Sequence, residues 1–150
     1  MAKPPTTTRP LLNPIEDLLG YQMRRASLVT LAALSEAFEA LGLRLTEAMI
    51  LRFVEANPGC NQAEIGRALG VKRTNMVPIV GGLVEAGLIS RTVADGRTHA
   101  LYLTGEGVRL HGEIAQLTRE HESHFFGDID APTRALLLRV FRSIRDRAPP

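Results

Sequence analysis

Lys72, Arg73, Thr74 and Asn75 are the residues best placed to do chemistry: four consecutive basic or polar side chains ahead of an apolar run. A helix beginning there presents them at its N-terminal end, where an end-on helix meets base edges in a major groove. Arg73 suits a guanine edge or a phosphate, Asn75 an adenine edge, and Thr74 a phosphate or a thymine methyl. Arg97 follows Asp95-Gly96, a hairpin-turn pair, and an arginine at such a tip fits the narrow, negative minor groove. Other chemistry finds no support. There is no glycine-rich phosphate loop, no metal-ligand spacing, and no serine or cysteine nucleophile with a histidine and an acid nearby, so neither an enzyme nor a cofactor is expected.

The elements that must position these groups can be read from their ends. Asn61 is a good N-cap, Glu64 completes a capping box with it, and Cys60 and Ile65 are placed as a hydrophobic staple. That first helix carries Ala63, Ile65, Ala68 and Leu69, stops at Gly70, and sets Asn61 and Gln62 at its start. The second helix, Arg73 to Ala86, keeps Met76, Ile79, Val80 and Leu83 at helical spacing, with Pro78 expected to loosen or kink it. After Gly87, residues Ile89, Arg91 and Val93 alternate with Ser90, Thr92 and Ala94. The return strand, Thr98 to Leu103, sets Leu101 and Leu103 against Ala100 and Tyr102, so one face covers the helices and the other stays wet. The order is a winged helix-turn-helix over about 46–104, and the fold class is mainly α with a small β-hairpin wing.

The flanks read as helices that bury their apolar faces against something else. Residues 1–12 hold three prolines and three consecutive threonines and read as a mobile tail. Asn13, Pro14 and Glu16 start a long helix expected over about 13–41, with Leu31, Leu34, Phe38 and Leu41 on one stripe. Thr46 is the expected cap of the next helix, whose core face is Met49, Ile50, Phe53 and Val54. Past the wing, Thr104 starts a helix through Leu110, Ile114 and Leu117 that ends at Gly127. Asp130 and Pro132 start the last one, with a stripe of Leu136, Leu137, Val140, Phe141 and Ile144. The first helix and the segment 104–147 are the expected dimerisation helices, which makes 13–150 a single domain. Arg134, Arg139, Arg142, Arg145 and Arg147 read as a solvated face with inter-subunit ion pairs rather than as a second DNA surface.

Residues 61–107 resemble the DNA-binding core of the MarR family of transcriptional regulators. The resemblance is carried by Leu83 and Gly87 at the end of the second helix, Arg91 on the first wing strand, Asp95 and Arg97 in the wing, and Leu103-Thr104 followed by Gly107. It departs at Gly96, where the family usually has a second basic residue. With the flanking helices it covers about 130 residues. It implies a homodimer on palindromic double-stranded operators, usually a repressor relieved by a small ligand. The stretch holding Tyr21, Arg24 and Arg25 resembles members that sense aromatic acids or their coenzyme A thioesters, and an arginine beside an apolar pocket matches a carboxylate with paired N–H donors. An exposed or DNA-facing arginine pair is the alternative.

The remaining features exclude more than they assign. A net charge of only +2 means that DNA affinity has to come from a local basic surface. No apolar run has the length of a membrane span and the start has no signal-peptide core, so a cytoplasmic protein is expected, with no membrane partner. The single Cys60 forms no internal disulfide and reads as packed rather than redox-active. His121 and His124, one turn apart, read as interface packing with a pH response rather than as metal ligands. The competing function is a winged helix used for protein contacts, a scaffold without specific DNA binding.

Overall fold

The computed structural model describes residues 11–95 and 98–147. The chain divides after Ala32 into two compact units. In the first, residues 11–32, Leu11 and Leu12 are exposed; the rest of the expected tail lies outside the described residues. Helix α1 (Leu19–Glu39) starts later than Asn13, the expected start. The Asn13 amide donates to the Glu16 carboxylate and its oxygen accepts from Ile15 N at 3.3 Å, while Glu16 N bonds Asn13 O at 3.3 Å. Gln22 then bonds the carbonyl and carboxylate of Glu16. The polar groups that would launch the helix close a separate turn instead.

The second unit, from Ala33, takes in the end of α1 and then α2 (Leu45–Ala56), α3 (Gln62–Leu69), α4 (Arg73–Glu85), β1 (Ile89–Asp95), β2 (Thr98–Leu103), α5 (Gly105–Phe126) and α6 (Ala131–Asp146). The strands pair antiparallel, with Arg91 opposite Leu101 and Val93 opposite His99, and the register shifts between Val93 and Asp95. This is the expected winged helix-turn-helix order, mainly helical with one hairpin.

Its core is one cluster. Phe38, Ile50, Leu51, Val54, Ile65, Met76, Val80, Leu83, Ile89, Leu101 and Ile114 are all buried in it, so each element from the end of α1 to α5 contributes. Burying a side chain of this size contributes about 1.5–3 kcal/mol. Helix α2 is capped two residues earlier than expected. Arg44 is its N-cap, because the Glu47 carboxylate reaches back to Arg44 N at 2.7 Å, and Thr46 falls inside the first turn.

The Leu103-Thr104…Gly107 motif acts as a clasp. The Thr104 hydroxyl accepts from Gly107 N at 3.0 Å, capping α5, and donates to the Gly87 carbonyl at 2.6 Å. A Cβ on Gly107 would lie 2.1 Å from the Leu88 carbonyl oxygen, so only glycine lets α5 start this close to the end of α4. Helix α6 is well formed, with Asp130 accepting from Thr133 N at 2.7 Å, yet none of its residues is buried. Hydrogen bonds from the Thr133 backbone and then its hydroxyl hold the Asp130 carboxyl below its usual range. Arg134, Arg139, Arg142, Arg145 and Arg147 are all exposed, as expected of a solvated face, and Arg134 pairs with Glu122 of α5 in the same chain.

Candidate nucleic-acid interface

The start of α3 is built by local bonds. Asn61 Oδ1 accepts from Ala63 N and Glu64 N, both at 3.0 Å, and Glu64 returns a carboxylate to Asn61 N at 2.9 Å. The carbonyl oxygen of Asn61 is therefore committed to its own helix, and its amide N–H groups are what it can offer a ligand. Gln62 follows it on the same rim.

The turn into α4 is equally tight. Gly70 sits at φ 67° as the left-handed cap of α3. Val71 N bonds the Gly66 carbonyl at 2.9 Å, and a Cβ on Gly66 would come within 3.1 Å of the Val71 carbonyl oxygen. This close approach sets where α4 begins. No side chain caps α4, so Lys72, Arg73, Thr74 and Asn75 are exposed around its first turn while Met76, Val80 and Leu83 anchor it in the core. Pro78 lies inside the continuous helix. Pro78 has no N–H, so the Thr74 carbonyl lacks its usual helical donor.

The hairpin closes the other side. Gly59 N donates to Leu101 O and Leu101 N donates to Cys60 O, both at 2.9 Å, so the chain before α3 runs alongside β2 and fixes the wing against the helices. Ala100 is buried as well as Leu101, so the expected wet face is partly covered, whereas Tyr102 remains exposed. A cavity of about 320 Å³ results, lined by Asn61, Gln62, Arg67, Arg73, Arg91 and His99 over a floor that includes Leu101. Among the described residues no hydrogen bond or ion pair occupies the side chains of Arg67, Arg73, Arg91 or His99, and no carboxylate lines the cavity. A shallower groove continues from it past Gly70 to Lys72.

The structure thus brings together Asn61, Gln62, Arg73 and Arg91, with Lys72 on the adjoining groove and Thr74 and Asn75 on the exposed turn beside them. Asp95 ends β1 opposite Thr98. Arg97, with Gly96, lies outside the described residues. Arg67 and His99 were not anticipated. Their signals were present: Arg67 is one turn after Ala63, and His99 is two residues before the inward-facing Leu101.

Tyr21, Arg24 and Arg25 lie on α1 in the first unit. Arg25 Nη1 donates to the Tyr21 hydroxyl at 3.2 Å and its guanidinium lies 5.9 Å from the ring centre, so these two form one recognition-capable pair. Arg24 is exposed beside them. Burial first, and the charge of Glu64 second, push the Cys60 thiol up, which makes it a packing residue and a poor nucleophile. His121 lies tilted against Phe125 and His124 meets it edge-on, with ring centres 4.8 and 4.7 Å apart, an arrangement of packing. No described helix is long and apolar enough to cross a membrane.

Residues 41–98, which span α2 to the first residue of β2, match the family model described as MarR family. Over its winged helix the chain is similar to the MarR family. It is 28% identical over 128 residues to the HTH-type transcriptional repressor Rv2887 of Mycobacterium tuberculosis, covering 84% of this chain and 92% of that protein. The crystal structure of Rv2887 in complex with salicylic acid superposes with a TM-score of 0.65 at 27% identity, covering 84% of this chain and 95% of that one. The transcriptional repressor CouR, bound to a 23-mer DNA duplex, is similar with a TM-score of 0.81 and 29% identity over 92% of this chain and 99% of that one. MarR proteins are transcriptional regulators built on this winged helix.

Proposed function

We propose that the protein is a cytoplasmic homodimeric repressor that binds palindromic double-stranded operators and is released by a small organic acid, an aromatic acid or its coenzyme A thioester. The observation that carries the DNA reading is the convergence of unpaired cations from α3, α4 and β1 on one cavity beside the exposed first turn of α4. In a chain with a net charge of only +2, such a local basic surface is what a DNA backbone requires. Asn75 serves as base reader, Arg73 takes a guanine edge or a phosphate, and Lys72, Thr74 and Arg91 are backbone contacts, with Asn61 and Gln62 donating to phosphates from the start of α3. Arg97 takes the minor groove at the wing tip, with Asp95 supporting the turn. The likeness to CouR, which is bound to a DNA duplex, supports this reading.

Dimerisation is supported by the exposed stripe Leu136, Val140, Phe141 and Ile144 on α6, an apolar face that a second copy would cover. The effector reading rests on the Tyr21–Arg25 pair, with Arg24, and on the relative Rv2887 in complex with salicylic acid. A ring stacks on tyrosine and a carboxylate is matched by guanidinium donors. The acid must bind the released state more tightly than the DNA-bound state, and operator DNA then weakens acid binding by the same factor.

The test is a titration of aromatic acids and their thioesters against the protein bound to a promoter fragment from its own genomic neighbourhood. One of them should release the wild type, and Arg25→Ala should require at least about tenfold more ligand, the loss of one charge-assisted contact. Release at unchanged concentration in both Arg24→Ala and Arg25→Ala removes these arginines from the site.

A further inference from the structure

The cavity between α3, α4 and the hairpin contains two groups to which the DNA reading gives no role, Arg67 and His99. His99 faces it from β2, exposed, two residues from the buried Leu101 and opposite Val93 of β1. Each of the other three cations there comes from a different element: Arg67 from α3, Arg73 from α4 and Arg91 from β1. Arginine keeps its charge at every physiological pH, whereas an imidazole gains a proton between about pH 8 and pH 5. Asn61 and Gln62 add only neutral groups to the same lining, and among the described residues no carboxylate faces the imidazole. Four basic side chains converging without a counter-ion form a cradle for a tetrahedral anion.

From this arrangement we infer that the cavity holds a backbone phosphodiester of bound DNA, with Arg67 as a further contact and His99 as a proton-dependent one, so that DNA binding tightens as pH falls. The inference rests on the proposed DNA-binding function and adds its regulation. The direction follows from linkage: a phosphodiester attracts an imidazolium more strongly than an imidazole, so binding takes up a proton, and lowering the pH drives binding. The contact is with phosphate, so the effect does not depend on base sequence. His111, His121 and His124 lie on α5 and do not line this cavity.

The experiment measures affinity of the full chain for a mixed-sequence duplex of about 24 base pairs at about 50 mM salt, at about pH 6 and about pH 8. Wild type should bind about five- to tenfold tighter at the lower pH. The His99→Gln variant should bind with little pH dependence, and His99→Arg should bind tightly at both values. Arg67→Ala should weaken binding at both and lower the salt slope by about one. His99 is exposed, so neither substitution at that position disturbs the core. A pH difference that His99→Gln retains in full overturns the inference while leaving the DNA-binding function intact. Wild type that binds no duplex at either pH overturns both. Imidazole NMR signals of His99 that shift with inorganic phosphate but not with the duplex would assign the cavity to a free anion and overturn the backbone contact.

Discussion

Helices α2 and α6 carry similarly regular apolar stripes and meet opposite fates. Ala48, Ile50, Leu51 and Val54 of α2 are buried, and α2 packs against α4, β2 and α5 of its own chain. Leu136, Val140, Phe141 and Ile144 of α6 stay 42–50% exposed. Helical spacing of apolar residues dictates that a face will be covered, but not by what. The winged-helix core satisfies itself within one chain, whereas the apolar face of α6 is left half-exposed by the described residues. A homodimer is the economical way to cover such a face, because it is closed by the same sequence that created it.

The largest expected effect contrasts the two helices directly. Leu51→Ala, which opens a cavity in a fully buried position, should cost about 2–5 kcal/mol of folding stability and lower the melting temperature. Ile144→Asp should leave the winged-helix core folded, as judged by near-ultraviolet circular dichroism, while splitting the dimer in sedimentation. A dimer that persists unchanged in Ile144→Asp breaks the contrast and moves the interface elsewhere.

A smaller effect sharpens it within the DNA-facing half. Helix α3 has every local device of a helix, whereas α4 has no side-chain cap and contains Pro78, Gly81 and Gly82. A Cβ at Gly81 or Gly82 would meet nothing within 4 Å, and neither residue has a positive φ. Gly82→Ala should therefore stabilise the protein by about 0.5–1 kcal/mol, read as a rise in melting temperature. A loss of stability instead would mean that this face of α4 is packed in the assembled protein.

These contrasts also explain what was legible in the sequence. The order of elements, the α3 capping box at Asn61 and Glu64, the left-handed stop at Gly70 and the Thr104 start of α5 are local signals, and each reappears in the fold. The late start of α1 was hidden because Asn13 and Glu16 serve a turn as readily as a helix, and here they close a turn to which Gln22 bonds. The α2 start was misplaced because Thr46 is the better cap by residue type, yet Glu47 finds Arg44 N. In the candidate interface the run Lys72 to Asn75 was visible as a contiguous string. Arg67 and His99 were not singled out, because they meet Arg73 and Arg91 around one cavity only once α3, α4 and both strands of the hairpin have packed.

The central claim is that the free cations around α3, α4 and the wing bind DNA and that the first turn of α4 reads its sequence. The most direct test is duplex affinity across a salt series for wild type, Asn75→Ala and Arg97→Ala, using an operator fragment selected from random duplexes. Wild-type affinity should fall steeply and linearly in log–log form, by about a thousandfold or more between about 50 and 200 mM salt if some six phosphates are engaged. Asn75→Ala should relax preference at one base position, and Arg97→Ala should weaken binding to every sequence and reduce the slope. Affinity that does not change with salt, or a selection that enriches no sequence, would contradict the account and favour a winged helix that serves as a protein-interaction scaffold.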